Sequence, residues 1–181
     1  MADVAIAVRE EGPDDLAAIR EVNDRAFDQP LEGRIVDALR AHGAVQVSLV
    51  AVVDGRVAGH ILFSPVTAPG PTTGPEAGPA TGVGLGPMAV TPEQQRRGVG
   101  AALIDAGLAR LRAAGCPFVV VLGHHEYYTR FGFVPASRYG MRCEWDVPDE
   151  SFMVHVLDAT ATAAAAGLIR YRPEFVMEMP G

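Results

Sequence analysis

The fold is decided by the stretch Gly86-Pro-Met-Ala-Val-Thr-Pro-Glu-Gln-Gln-Arg-Arg-Gly-Val-Gly-Ala-Ala-Leu-Ile104. It predicts a strand ending near Val90, a tight polar loop from Gln94 to Arg97, and a helix opening at Gly98. Gly98 and Gly100 remove two Cβ atoms where the chain turns, so the backbone can approach a ligand closely. The unpaired N–H groups of the helix start and the positive end of its dipole make an anion site. Arg96 and Arg97 add two permanent positive charges. Such a loop holds phosphates.

The loop lacks the three glycines of the dinucleotide fingerprint, and no Lys follows a glycine as in the ATP loop. What stands there is Gln95-Arg96-Arg97-Gly98-Val99-Gly100, which fits Q/R-x-x-G-x-G/A. By itself this string also fits a glycine-rich helix start with no ligand.

Downstream, Val99, Leu103, Ile104, Leu108 and Leu111 recur at helical spacing, and the helix stops at Gly115 before Pro117. Phe118-Val-Val-Val-Leu122 is a continuous apolar run, hence a strand covered on both faces. Strand, helix and strand in this order imply a parallel, right-handed crossover. A turn at Gly123-His-His-Glu126 and a short helix over Tyr127–Phe131 come next. Upstream, Pro87 interrupts the strand Val83–Val90, which must be exposed or bulged there because proline donates no ladder bond. An extended amide-bearing ligand could then pair with the freed backbone like an added strand.

Further upstream, Val4–Arg9 alternates as a first strand, and Leu16, Ile19, Val22, Asn23 and Ala26/Phe27 mark an amphipathic helix. Ile35, Val36 and Leu39 mark a second helix ending near Gly43. Ala44–Val53 and Arg56–Pro65 flank Asp54-Gly55, a two-residue hairpin turn. Thr67–Gly82, which includes Glu76, reads as a mobile surface loop. Beyond Pro135, Phe152–Leu157 is a strand and Ala159–Ala166 fits either helix or loop. Gly167–Tyr171 is a last strand, and Pro173–Val176 an extended end.

The 181 residues suit one domain, 1–181, with a sizeable core; 49% are hydrophobic and 20% charged. A net charge of −7 argues against a nucleic-acid binder. All fifteen basic residues are Arg, a composition bias from which no function follows. Cys116 and Cys143 show no metal-ligand spacing, so no metal and no disulfide framework are expected. No signal peptide or membrane span is legible, which gives the expectation of a cytoplasmic protein without membrane partners.

Tyr127-Tyr128-Thr-Arg-Phe-Gly-Phe133 joins these readings together. With the Gln95–Gly100 loop it resembles the GNAT superfamily of N-acetyltransferases, in which a Tyr commonly stands five residues before the Phe of a Gly-Phe pair. Tyr128, Gly132 and Phe133 occupy those places. The spelling is similar to a subgroup of predicted bacterial N-acetyltransferases, as are Gly86-Pro-Met-Ala-Val90 and Tyr171-x-Pro-x-Phe175. The resemblance covers nearly the whole chain and is weakest from Gly140 to Asp158. It implies a mixed α/β fold: a mostly antiparallel sheet with a parallel strand pair splayed around the loop, and helices on both faces. It also implies acetyl-CoA as co-substrate. Backbone groups of Met88, Ala89 and Val90 would hold the thioester and pantetheine, and Gln95, Arg96, Arg97, Gly98, Val99, Gly100 and Ala101 the pyrophosphate.

Acetyl transfer to an amine needs a neutral amine, a stabilised oxyanion and a proton for the departing thiolate. A thiol ionises near pH ~8.5 and a tyrosine near ~10, so Tyr128 could act as general acid with little uphill cost. Tyr127 is assigned to packing. No base is assigned: His124, His125, Glu126 and a water all remain open, His60 reads as packed or at an edge, and Glu144 or Asp149 as solvated. Neither motif contains a cysteine, which disfavours an acetyl-enzyme and favours direct transfer in a ternary complex. The alternative is a non-catalytic acyl-CoA-binding regulatory or sensor module, and a third reading is a nucleotide-binding domain. The acceptor is a small-molecule or peptide amine, and a homodimer is the default assembly.

Overall fold

The computed structural model describes residues 5–70, 73–75 and 77–177. Its seven-stranded sheet runs in the order β1-β2-β3-β4-β5-β8-β6, and β7 and β9 form a separate two-stranded sheet. The strands are β1 Ile6–Glu10, β2 Val47–Val53, β3 Arg56–Ala68, β4 Ala80–Val90, β5 Phe118–Leu122, β6 Val134–Pro135, β7 Met141–Cys143, β8 Phe152–Val156 and β9 Gly167–Ile169. Helices are α1 Leu16–Phe27, α2 Leu31–Ala41, α3 Val99–Ala113, α4 His125–Tyr128, α5 Ala159–Ala164 and α6 Glu174–Met177. The β1–β2, β2–β3, β5–β8 and β6–β8 pairs are antiparallel, and β4–β5 is parallel. This is the mixed sheet with one parallel pair that the motifs implied.

The chain divides into two compact units, Met1–Phe63 with Gly86–Arg110 and Pro173–Gly181, and Ser64–Leu85 with Leu111–Arg172. In the first, Asp54 (φ 50°) and Gly55 (φ 74°) build the hairpin turn in the doubly left-handed form that matches strand twist. The apolar stripes of α1 and α2 bury Ile19, Ile35, Val36 and Leu39 with Val50 and Leu62. Gly59 lets α3 lie close on β3, since a Cβ there would fall 2.8 Å from Val99 Cγ1 and 3.0 Å from Leu103 Cδ1. A Gly59→Val substitution should therefore overpack this seam and destabilise the protein by about 1–3 kcal/mol, read as a lowered Tm.

The second unit is centred on Val66, Phe118, Val120, Met141, Phe152, Val154 and Ile169. Phe118 to Val121 are at most 1% exposed, as a doubly covered strand requires. The β4–β5 register pairs Val83, Gly84 and Leu85 with Val119, Val120 and Val121, whereas β4 continues to Val90.

Several boundaries differ from the sequence reading. The strands take both ends of the expected Thr67–Gly82 loop, because Thr67 exchanges backbone hydrogen bonds with Arg170 (3.0 and 2.9 Å) and Ala68 is buried; Glu76 lies outside the described residues. Pro173–Val176 is not extended: Pro173 sits at a helix entrance, where its missing N–H costs nothing, and Phe175 packs onto the first core. Val134–Pro135 and Met141–Cys143 are strands that no periodicity announced. The helix expected over Tyr127–Phe131 begins two residues earlier, at His125, and Thr129–Phe131 tightens into a 3-10 turn.

Candidate active site

The loop after β4 is anchored before it is shaped. Thr91 donates its N–H to the Ala58 carbonyl of β3 (2.9 Å), and Pro92–Gln94 forms a 3-10 turn. Gln95 is extended, Arg96 is left-handed (φ 58°), and Gly98 is left-handed again (φ 88°). Among the described residues, the only atom within 4 Å of a Cβ built on Gly98 is Ile6 Cδ1, at 3.8 Å. Backbone conformation rather than space therefore requires glycine there. Arg96 holds a conformation that costs a side-chain-bearing residue about 1 kcal/mol or more.

Gly98 lies one residue ahead of α3, not inside it, and its carbonyl accepts from Ala102 N (3.0 Å). The N–H groups of Val99, Gly100 and Ala101 are thus the unpaired donors of the helix start. Arg96, Arg97 and Gly98 are exposed, and neither arginine has an ion-pair partner among the described residues. Backbone donors, the positive end of the helix dipole and two exposed arginines thus stand within six residues of one another, the elements from which an anion site can be built.

Gln95 adds a tie that its motif position did not announce: its side-chain amide donates to the Val90 carbonyl (3.1 Å). Arg25 of α1 pairs with Glu93, and the Glu93 carboxyl is held below its usual range by its own N–H and by Arg25. Met88, Ala89 and Val90 form the end of β4, with Ala89 buried and the other two half-buried. Replacing Gln95 by Ala removes this hydrogen bond, worth about 1 kcal/mol, and should lower the Tm by about 2–4 °C.

Tyr128 lies in the other unit, on α4. Its ring packs edge-on against Tyr127 (5.1 Å between centroids) and Phe133 (5.6 Å), and the residue is 8% exposed. Burial, with Tyr127 beside it, pushes the phenol well above its ordinary value. The little uphill cost expected of Tyr128 as an acid is therefore corrected upward: the phenol is a firm neutral donor and a weaker acid than free tyrosine. The contacts of Tyr127 with Tyr128, Phe131 and Arg130 fit its assignment to packing.

His124, His125 and Glu126 are exposed and border a cavity of about 630 Å³ with Gly123, Tyr127, Arg130 and Ser151. Glu144 is engaged rather than solvated, accepting from the Tyr171 N–H (2.6 Å), and Asp149 accepts from Ser137 (3.0 Å). Cys116 and Cys143 are free, half-buried thiols that burial pushes up, which makes both poor nucleophiles. No group of metal-ligating side chains is found among the described residues.

A buried polar chain in the first unit escaped the sequence reading. Asn23 Nδ2 donates to the Ile19 carbonyl (2.9 Å) and to His60 Nδ1 (3.1 Å), which fixes the His60 proton on Nε2. Nε2 then donates to Ser48 Oγ (2.9 Å), Ser48 donates to Glu11, and Arg40 grips Glu11 with Nε (3.1 Å) and Nη2 (3.0 Å). His60 is packed, as expected, and fully buried. The available signal was Asn23 itself, a polar residue on the apolar stripe of α1.

Residues 15–133 match the acetyltransferase (GNAT) family model. The chain is 34% identical over 169 residues to the uncharacterized N-acetyltransferase YhbS of Escherichia coli, covering 93% of this chain and 97% of that protein. The uncharacterized N-acetyltransferase YjhQ of the same organism is 40% identical over 139 residues, 75% of this chain and 74% of its own. Among solved structures, Escherichia coli YhbS in complex with CoA superposes with a TM-score of 0.87 at 32% identity, covering 97% of this chain and 94% of that one. A GNAT family acetyltransferase from Brucella melitensis in complex with acetyl-CoA gives 0.76 at 38% identity, covering 94% and 98%. The chain belongs to the GNAT acetyltransferase family, and it is an N-acetyltransferase by that membership.

Proposed function

We propose that the protein uses acetyl-CoA as co-substrate and transfers the acetyl group directly to an amine within a ternary complex. The observation that carries this reading is the left-handed pair Arg96 and Gly98 ahead of α3, which sets two exposed arginines beside the unpaired first N–H groups of the helix. The pyrophosphate of CoA suits that site, held by Gln95, Arg96, Arg97, Gly98, Val99, Gly100 and Ala101. The end of β4, Met88–Val90, would receive the pantetheine arm and the thioester carbonyl through backbone groups. The CoA and acetyl-CoA complexes of the two similar proteins support the same ligand here.

The amine nitrogen attacks the thioester carbon, a C–N bond forms and the C–S bond breaks. An ammonium acceptor gives up two protons overall. One goes to solvent or a base, and the other reaches the thiolate, with Tyr128 as donor. Two half-buried, high-pKa thiols leave no good cysteine nucleophile for an acetyl-enzyme, which favours direct transfer.

The test is a ligand panel followed by turnover. Acetyl-CoA at about 100 times Kd should stabilise the protein by about 2.7 kcal/mol, with no comparable shift from ATP or NAD. Thiol release should then depend on an added amine. A protein stabilised equally by ATP would refute the cofactor assignment, and a burst of thiol without amine would refute direct transfer.

A further inference from the structure

The cavity beside α4 carries two charges arranged to pair that do not pair. Glu126 and Arg130 stand at i and i+4, the order in which a helical turn joins a carboxylate to a guanidinium. Arg130 Cζ instead lies 5.1 Å over the ring of Tyr127 and 5.5 Å from that of Phe131. Neither Glu126 nor Arg130 has an ion-pair partner among the described residues, and both border the same cavity of about 630 Å³. A guanidinium laid against aromatic faces keeps its in-plane N–H edges available, and those edges match a carboxylate bidentately.

We infer that this cleft binds the acceptor as a zwitterion, an amine that also bears a carboxylate, such as an α-amino acid or a short peptide presenting both ends. Arg130 receives the carboxylate and Glu126 the ammonium. The volume falls within the range of about 300–1,000 Å³ of small-molecule sites. The cleft also adjoins the residue expected to protonate the thiolate: Gly123 lines it, and a Cβ on Gly123 would lie 2.5 Å from the Tyr128 ring. The assignment rests on the acetyltransferase reading.

The reaction balances as ammonium acceptor plus acetyl-CoA giving N-acetyl product, CoA thiol and one released proton. The C–N bond forms as the C–S bond breaks. The product has lost its positive charge, so its amide faces Glu126 without attraction while its carboxylate remains on Arg130. Acetylation thus weakens one of the two anchors and favours release.

The experiment compares free amino acids, their C-terminal amides and simple alkylamines as acceptors, with thiol release as readout. The acids should exceed the amides at least tenfold in kcat/KM. Arg130→Met, which keeps the stack on Tyr127 and Phe131, should raise the acceptor KM about tenfold and erase the preference for the acid, with the KM for acetyl-CoA unmoved. Arg130→Lys should fall between. Glu126→Gln should raise the acceptor KM while the preference for the acid persists. Amides or alkylamines reacting as well as acids overturn the inference, as does an Arg130→Met effect confined to acetyl-CoA. Transfer to no amine at all counts against the acetyltransferase reading. In that event NMR titration of the amino acids onto the CoA-bound protein still decides the cleft, since Arg130-dependent binding upholds it and no binding overturns it.

Discussion

A Tyr128→Phe variant should lose about 100-fold in kcat for acetyl transfer while its KM for acetyl-CoA stays near that of the wild type. Only the hydroxyl is removed. The ring contacts with Tyr127 and Phe133 survive, so the Tm should hold and misfolding would not explain a loss. Burial raises the phenol well above its ordinary value, so the hydroxyl proposed as donor keeps its proton at and above neutral pH. A donor of this kind stabilises the departing thiolate most as the C–S bond lengthens, which is why the effect falls on kcat. The alkaline limb of the rate profile should accordingly not belong to Tyr128. Unchanged kcat in the variant would remove Tyr128 from the mechanism, and a fallen Tm would return it to packing.

Acid should unfold the first unit through His60. Burial lowers its pKa from 6.5 to about 4, against a smaller raising influence of Glu11. The unfolded chain therefore binds the proton more tightly than the folded one. Stability is complete above pH 6.5 and falls as pH drops toward 4, by about 3 kcal/mol for a shift of this size. Glu11, whose carboxyl is held down by Arg40 and Ser48 against its own burial, adds a second loss at lower pH. Urea midpoints measured between pH 7 and 4 should follow this slope. The His60→Gln variant, less stable at pH 7 but still able to bond Ser48, should show a flatter one. A wild-type midpoint constant across that range would show that His60 is not caged as described.

What was legible in the sequence was what neighbouring residues encode together. Asp54-Gly55 specifies its turn because both residues must take positive φ, and Gly98 specifies the loop for the same reason. The run Phe118–Leu122 names a strand buried from Phe118 to Val121 by having no polar side to show, although its last residue, Leu122, is exposed. The parts that escaped depend on partners distant in sequence. Thr67 becomes strand because Arg170 lies opposite, and Pro173–Val176 turns helical because Phe175 has a core to enter. The acid-base residues around Tyr128 were nameable, but the burial that changes the phenol was not. Nothing local in Glu11, Ser48 or Arg40 points to the histidine they serve.

The chain from Asn23 to Arg40 also provides a built-in probe. From Asn23 to Glu11 the donors run in one direction, and Arg40 donates to Glu11 from the other end, so the His60 ring has a single allowed tautomer and a proton sealed between Nε2 and Ser48. Such a proton exchanges slowly and resonates apart from the crowded amide region. One resonance then reports whether α1 is seated on β3. Followed during titration with CoA or an acceptor, it distinguishes a ligand that shifts the first helix from one that leaves it at rest.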